Sequence, residues 1–202
     1  MSGAGSAVGV LALQGDFEAH ARVLRGLGAR CPAVRKAGQL DGLDGLVIPG
    51  GESTTLIKLM DAFDFWEPLD AFIASGRPVF GTCAGAILLA SEVLNPEQRC
   101  LGAMDITVER NSYGRQLDSF EGAGRFRPHS GGETEIEMVF IRAPRITRMG
   151  AGVEALGECR GDTVVARQGG LLAATYHPEL SAGAQVHRHF LEMTAAAAAG
   201  RS

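Results

Sequence analysis

Apolar positions in the first ninety residues fall into short continuous runs, separated by glycine, proline and polar clusters. "AVGVLALQG" (7–15) is apolar without alternation and is stopped by glycine, the pattern of a parallel strand buried on both faces. "FEAHARVLRGLGA" (17–29) spaces its apolar residues at helical intervals and closes on glycine. "CPAVRK" (31–36) predicts a short strand. A further strand at 46–48 ends in Pro49-Gly50-Gly51, after which Ser53 and Thr54 are placed to cap a helix through "TTLIKLM". "FWEPLDAFIASG" (65–76) predicts a helix, "RPVFG" (77–81) a strand and "AGAILLA" (84–90) another helix. Strand and helix alternating in this way predict a doubly wound α/β domain with a parallel sheet.

Beyond Cys100 the rhythm changes. "LGAMDITVERNSYGRQ", "TEIEMVFIRAP" and "DTVVARQGGLLAATYHPE" read as strands and hairpins, and "SAGAQVHRHFLEMTAAAAAG" as a final helix with an alanine-rich end. There is no internal repeat or linker, so the 202 residues read as one domain, with loose ends expected at about 1–6 and 196–202. Hydrophobic residues make up 46% and charged residues 21%, an ordinary globular composition. The net charge of −4 argues against a nucleic-acid partner. No apolar run is long enough to span a membrane, and the N-terminus has no basic region of the signal-peptide kind. The expectation is a cytoplasmic protein with no membrane contact.

The four cysteines, Cys31, Cys83, Cys100 and Cys159, form no metal-ligand pair or disulfide framework. Three of them read as small buried hydrophobes. Cys83 differs, because it lies between the strand "PVF" and the helix "AGAILLA", flanked as Gly81-Thr82-Cys83-Ala84-Gly85. This is the pattern of the nucleophile elbow G-x-S-x-G with cysteine in the serine place. Glycines suit such a turn because a side chain there would crowd the neighbouring strand or helix. A helix N-terminus favours a thiolate, and a free cysteine titrating near about 8.5 needs such help at neutral pH.

A thiolate nucleophile needs a base and a group to orient it. In "YHPE" (176–179), His177 and Glu179 are two residues apart, so in an extended segment they face one side, and Pro178 favours extension at His177. His20, His129, His187 and His189 read as surface or internally satisfied histidines, and the spacing of the last two is not that of a metal pair. "VIPGGEST" (47–54) supplies a third piece. Gly50 and Gly51 can present backbone amides to an oxyanion, with the amide of Ala84 as the second donor.

Together these motifs resemble the class I, triad-type glutamine amidotransferases. "VLALQGDFEAH", "GLVIPGGESTT", "GTCAGAILLA", "ERNSYGRQLDSFE", "VFIRAP" and "ATYHPEL" are more closely similar to the glutaminase subunits of pyridoxal 5′-phosphate synthases, over about residues 8–189. The resemblance implies a flavodoxin-like three-layer sandwich, with a mostly parallel central sheet and a smaller antiparallel strand element. It implies a catalytic Cys83, His177 and Glu179, and glutamine contacts from Gly51, Glu52, Ser53, Arg110, Ile141 and Arg142. It further implies no metal or organic cofactor in this chain, and a synthase partner that receives the ammonia in a complex of twelve and twelve subunits. Such glutaminases are weakly active alone, and a Gly50-Gly51 peptide free to flip would provide the gate. The arginine-rich stretch from Arg110 to Arg148 and the segment Gln14-Gly15-Asp16 are candidates for the docking face. Three other readings compete: a glutaminase serving another synthase, a non-enzymatic redox-sensing relative, and a cysteine hydrolase acting on peptides.

Overall fold

Four apolar tetrapeptides, VGVL, GLVI, VFGT and LLAA, form strands in which every residue is buried. The structure, a computed structural model, describes residues 5–110, 119–128 and 131–201. In chain order its first half runs β1 (Val8–Leu11), α1 (Phe17–Gly26), β2 (Ala33–Val34), β3 (Gly45–Ile48), α2 (Ser53–Ala62), α3 (Trp66–Ala74), β4 (Val79–Thr82) and α4 (Ala84–Leu89). The second half runs β5 (Ala90–Leu94), β6 (Met104–Glu109), β7 (Ser119–Phe126), β8 (Thr134–Ile141), β9 (Arg145–Met149), β10 (Glu154–Cys159), β11 (Asp162–Gln168), β12 (Leu171–Ala174) and α5 (Gln185–Ala199).

The central sheet has the order β2-β1-β3-β4-β12-β11-β10-β7-β8. Pairing is parallel from β2 to β12 and antiparallel from β12 outward to β8. Successive residues of a strand face opposite sides, so the pleat sorts the apolar residues into two cores. Leu46, Ile48, Val79 and Ala173 meet Leu56 and Met60 of α2, Leu69 and Phe72 of α3, and α4. Val8, Val10, Val47, Phe80 and Leu172 meet Leu24 of α1 and Phe190 of α5 on the other face. The result is the three-layer α/β sandwich expected from the sequence. Each fully buried Leu, Val or Phe contributes roughly 1.5–3 kcal/mol relative to exposure.

Several local expectations need correction. The helix after Cys83 is found as expected, at Ala84–Leu89, but the strand β5 that follows it from Ala90 was not expected. The smaller sheet, β5-β6-β9, is mixed rather than antiparallel: β5 pairs with β6 in parallel and β6 with β9 antiparallel. α2 is capped by the side chain of Glu52, not by Ser53 or Thr54. α5 runs on to Ala199, into the stretch expected to be loose. Residues 111–116 of "RNSYGRQ" and His129 lie outside the described residues.

Candidate active site

The β2-β1-β3-β4 order reverses direction between β1 and β3, and in such sheets ligands bind beyond the carboxyl ends of the strands near the reversal. The predicted site residues gather there. Cys83 follows β4 immediately and stands at the start of α4, with φ 47° and ψ −103°. This left-handed backbone is uncommon for a residue other than glycine, and such strain concentrates at functional sites. Two hydrogen bonds fix the corner. The Cys83 N–H donates to the Ala174 carbonyl at 2.8 Å, and its carbonyl accepts from the Ile87 N–H at 3.1 Å. The flanking glycines are required by space. A Cβ at Gly85 would lie 2.1 Å from the Ile48 carbonyl oxygen, and one at Gly81 would lie 2.5 Å from the Gly85 backbone.

β12 leads to His177, the candidate base. Three residues past its end, the His177 N–H donates to the Val139 carbonyl at 2.8 Å, which ties this segment to β8. The His177 Nδ1 lies 2.7 Å from Oε1 of Glu179, with both residues buried. Burial opposes charge on His177, but its hydrogen bonds to Cys83 and Glu179 and the negative charge of Glu179 outweigh it, raising the imidazolium to about 10. The ring is therefore a cation at neutral pH when it faces a Cys83 thiolate. Burial pushes the thiols of Cys31 (to about 11), Cys100 and Cys159 up from the ordinary value, which disfavours their thiolates.

Gly50 packs against both Cys83 and His177. A Cβ on it would meet His177 Cε1 at 2.6 Å and Cys83 Cβ at 3.1 Å, so only glycine lets the loop approach this closely. Gln14 holds this loop. Its Nε2 donates to the Gly50 carbonyl at 3.2 Å, and its Oε1 accepts from the Glu52 N–H at 3.2 Å. A trans peptide then turns the Gly51 N–H away from Gln14. Gln14, expected on the docking face, is thus engaged with the Gly50-Gly51 loop. A lone glutamine after a strand carries no sequence signal of such a role.

Gly51, Glu52, Ser53, Cys83, Ile87, Arg110, Ile141, Arg142 and His177 line one cavity of about 180 Å³. This is smaller than the roughly 300–1,000 Å³ of drug-sized sites and suits one small polar molecule. All six residues expected to contact the substrate are on its wall, together with Ile87, which the sequence reading did not single out. Arg110 has one buried guanidinium nitrogen, Nη1, without a hydrogen-bond partner, and its Nη2 is 3.7 Å from Glu52. Glu52 is held near 2 by hydrogen bonds from the Thr54 hydroxyl and from Thr55 and the α2 amides, so it is ionised. The wall therefore offers a cationic fork and an anion side by side. Arg142, just past β8, has φ 44°, a second left-handed residue on the cavity rim.

Among known proteins, the model of the SNO glutamine amidotransferase family matches residues 10–196. The chain belongs to this family. A Desulforudis audaxviator protein named pyridoxal 5′-phosphate synthase subunit PdxT is 51% identical over 92% of this chain and 97% of its own length. A Koribacter versatilis protein of the same name is 53% identical over 92% of the chain and 94% of its own length. A crystal structure of a glutamine amidotransferase superposes with a TM-score of 0.85 at 45% identity, covering 93% of this chain and 98% of the other. As a glutamine amidotransferase the SNO-family chain needs a nucleophile for an amide carbon and a site for a zwitterionic amino acid, and the cavity juxtaposes groups suited to both.

Proposed function

We propose that this chain is the glutaminase subunit of a pyridoxal 5′-phosphate synthase, with Cys83, His177 and Glu179 as its catalytic triad. The observation that carries the triad is the buried His177–Glu179 pair at 2.7 Å, with His177 and the elbow cysteine on the wall of one cavity for a small polar molecule. The Cys83 sulfur attacks the side-chain amide carbon of glutamine, and His177 takes the thiol proton. The tetrahedral oxyanion is held by the amide of Ala84 and by the Gly50-Gly51 loop, where one such donor is worth roughly 10²–10³ in rate. Collapse breaks the C–N bond, and His177 gives its proton to the leaving ammonia. A γ-glutamyl thioester remains. Water, deprotonated by His177, hydrolyses it to glutamate and restores the thiol. Glu179 orients the imidazole and stabilises its charge throughout. Arg110 accepts the substrate α-carboxylate, Glu52 the α-ammonium, and Gly51, Ser53, Ile141 and Arg142 complete the pocket.

Ammonia at neutral pH is mostly ammonium and not nucleophilic, so the product has to pass directly to a second active site. The names of the curated relatives support a partner subunit in a pyridoxal 5′-phosphate synthase, and in our reading that partner builds the product from ribose 5-phosphate and glyceraldehyde 3-phosphate. We place the two in a cytoplasmic assembly of twelve subunits of each kind. Consistent with this, no helix among the described residues is long and apolar enough to cross a membrane. The test is glutamate release by the purified chain, alone and with the synthase subunit. Strong stimulation is expected. Activity without stimulation would assign the chain to another synthase, and inactivity in both cases would overturn the enzymatic reading.

A further inference from the structure

Behind the triad, on the side away from the cavity, lies a buried polar cluster that the reaction as written does not use. His20 of α1 and His187 of α5 are both fully buried, and the His20 Nδ1 lies 2.9 Å from the His187 Nε2. The other ring nitrogen of His20, Nε2, lies 3.2 Å from Oε2 of Glu179 and 3.1 Å from the Thr82 hydroxyl of β4. The Phe80 ring stands perpendicular to the His20 ring at 6.3 Å. The titratable and charged groups around His20 are thus His187 from α5 and His177 and Glu179 from the segment after β12.

Two facts set the proton positions. Burial, reinforced by His187 and His177, holds His20 well below its ordinary value, and burial holds His187 near 3, so both rings are neutral with one N–H each. Oε2 of Glu179 is buried and lacks a hydrogen bond of good geometry, and the His20 Nε2 at 3.2 Å is its close polar neighbour. A buried carboxylate oxygen opposite a bare nitrogen lone pair is strongly unfavourable, and a small ring rotation turns an Nε2–H toward it. Placing the His20 proton on Nε2 makes Nδ1 an acceptor, so His187 has to donate from its Nε2. Its own Nδ1 is then the bare, unpartnered atom, and that is the His187 nitrogen found without a partner. The opposite arrangement would bury an orphaned N–H there.

We propose that His20, fixed as its Nε2–H tautomer by His187, is a positioning residue of the triad that holds the second oxygen of Glu179, so that the first stays aligned on His177. The chain runs His187 to His20 to Glu179 to His177 to Cys83, and the helix α5 supports the catalytic carboxylate through it. The inference rests on the triad reading above.

The test follows alkylation of Cys83 by iodoacetamide against pH, read peptide by peptide by mass spectrometry, in the full chain and in His20→Leu and His20→Gln. In the proposed triad wild-type Cys83 should be alkylated at neutral pH faster than Cys31, Cys100 or Cys159. His20→Leu should lower that reactivity roughly tenfold and shift its onset to higher pH by about one unit. His20→Gln, whose amide can donate from the place of Nε2, should recover most of it. A purely structural role predicts the reverse order, because leucine packs a buried site better than glutamine. Equal profiles for wild type and His20→Leu, or equal impairment of both variants, would overturn the proposal. A wild type no more reactive than His177→Ala would instead overturn the triad. If His20→Leu does not fold, ring ¹⁵N NMR of the wild-type chain decides: a protonated Nε2 and bare Nδ1 at His20 is expected, and the opposite tautomer contradicts it.

Discussion

At the scale of single residues, our reading separates groups that react from groups that bind. Cys83→Ala removes the proposed nucleophile and should lower glutamine hydrolysis by about 10⁴-fold or more, while the fold persists. Glu179→Gln has a signed consequence for pH. The carboxylate helps raise His177 to about 10, so its loss lowers that value and the imidazolium discharges at a lower pH. The neutral-pH alkylation of Cys83 should then fall. Arg110 acts on binding. Its unpartnered Nη1 faces a substrate anion in our reading, so Arg110→Ala should raise KM for glutamine by roughly tenfold to a hundredfold with a smaller change in kcat. Lysine cannot reproduce the fork and should restore little. Equal loss in kcat and kcat/KM would place Arg110 in the chemistry instead.

At the scale of elements, the corner between β4 and α4 carries the most strain and has the least spare room. Gly85→Ala drives a Cβ into the Ile48 carbonyl oxygen at 2.1 Å, backbone that cannot swing aside. The expected cost is at least the roughly 1–3 kcal/mol of an overpacked core, read as a lower midpoint in urea. Gly26→Ala meets nothing within 4 Å and should be neutral or stabilising in the same assay. This corner was legible in the sequence because its chemistry is local: five consecutive residues hold both the nucleophile and the glycines that make room for it. The His177–Glu179 pair was legible for the same reason. What sequence did not show depends on distant approach. Gln14 reaches the Gly50-Gly51 loop 36 residues away, and His20 reaches His187 across 167 residues. The cap of α2 was misassigned because serine and threonine are the usual caps, whereas the Glu52 carboxylate is long enough to reach the Thr54 and Thr55 amides from the position before them. The strand β5 was hidden because "ASEVL" follows the apolar helix with no break and carries too few apolar residues to show a strand's alternation.

At the scale of the whole molecule, one sheet joins two parts. Its parallel half, β2 to β12, carries Cys83 and His177, the proposed nucleophile and base, beyond the ends of the adjacent strands β4 and β12. Its antiparallel half brings β8 alongside, so that Val139 anchors His177 and Ile141 and Arg142 close the cavity. The cores on the two faces fix these parts against each other. A truncation at Phe80, buried between β4 and α5, should cost about 3–5 kcal/mol and loosen the elbow with it. The central claim is that Cys83 forms an acyl bond with the side chain of glutamine. The most direct test is mass spectrometry of the chain after incubation with a diazo-oxo analogue of glutamine, in the presence of the synthase subunit. The account predicts one covalent adduct, on the peptide containing Cys83, lost in His177→Ala and suppressed by excess glutamine. Labelling of Cys31, Cys100 or Cys159 in its place, or no adduct on a folded chain with its partner, would contradict it.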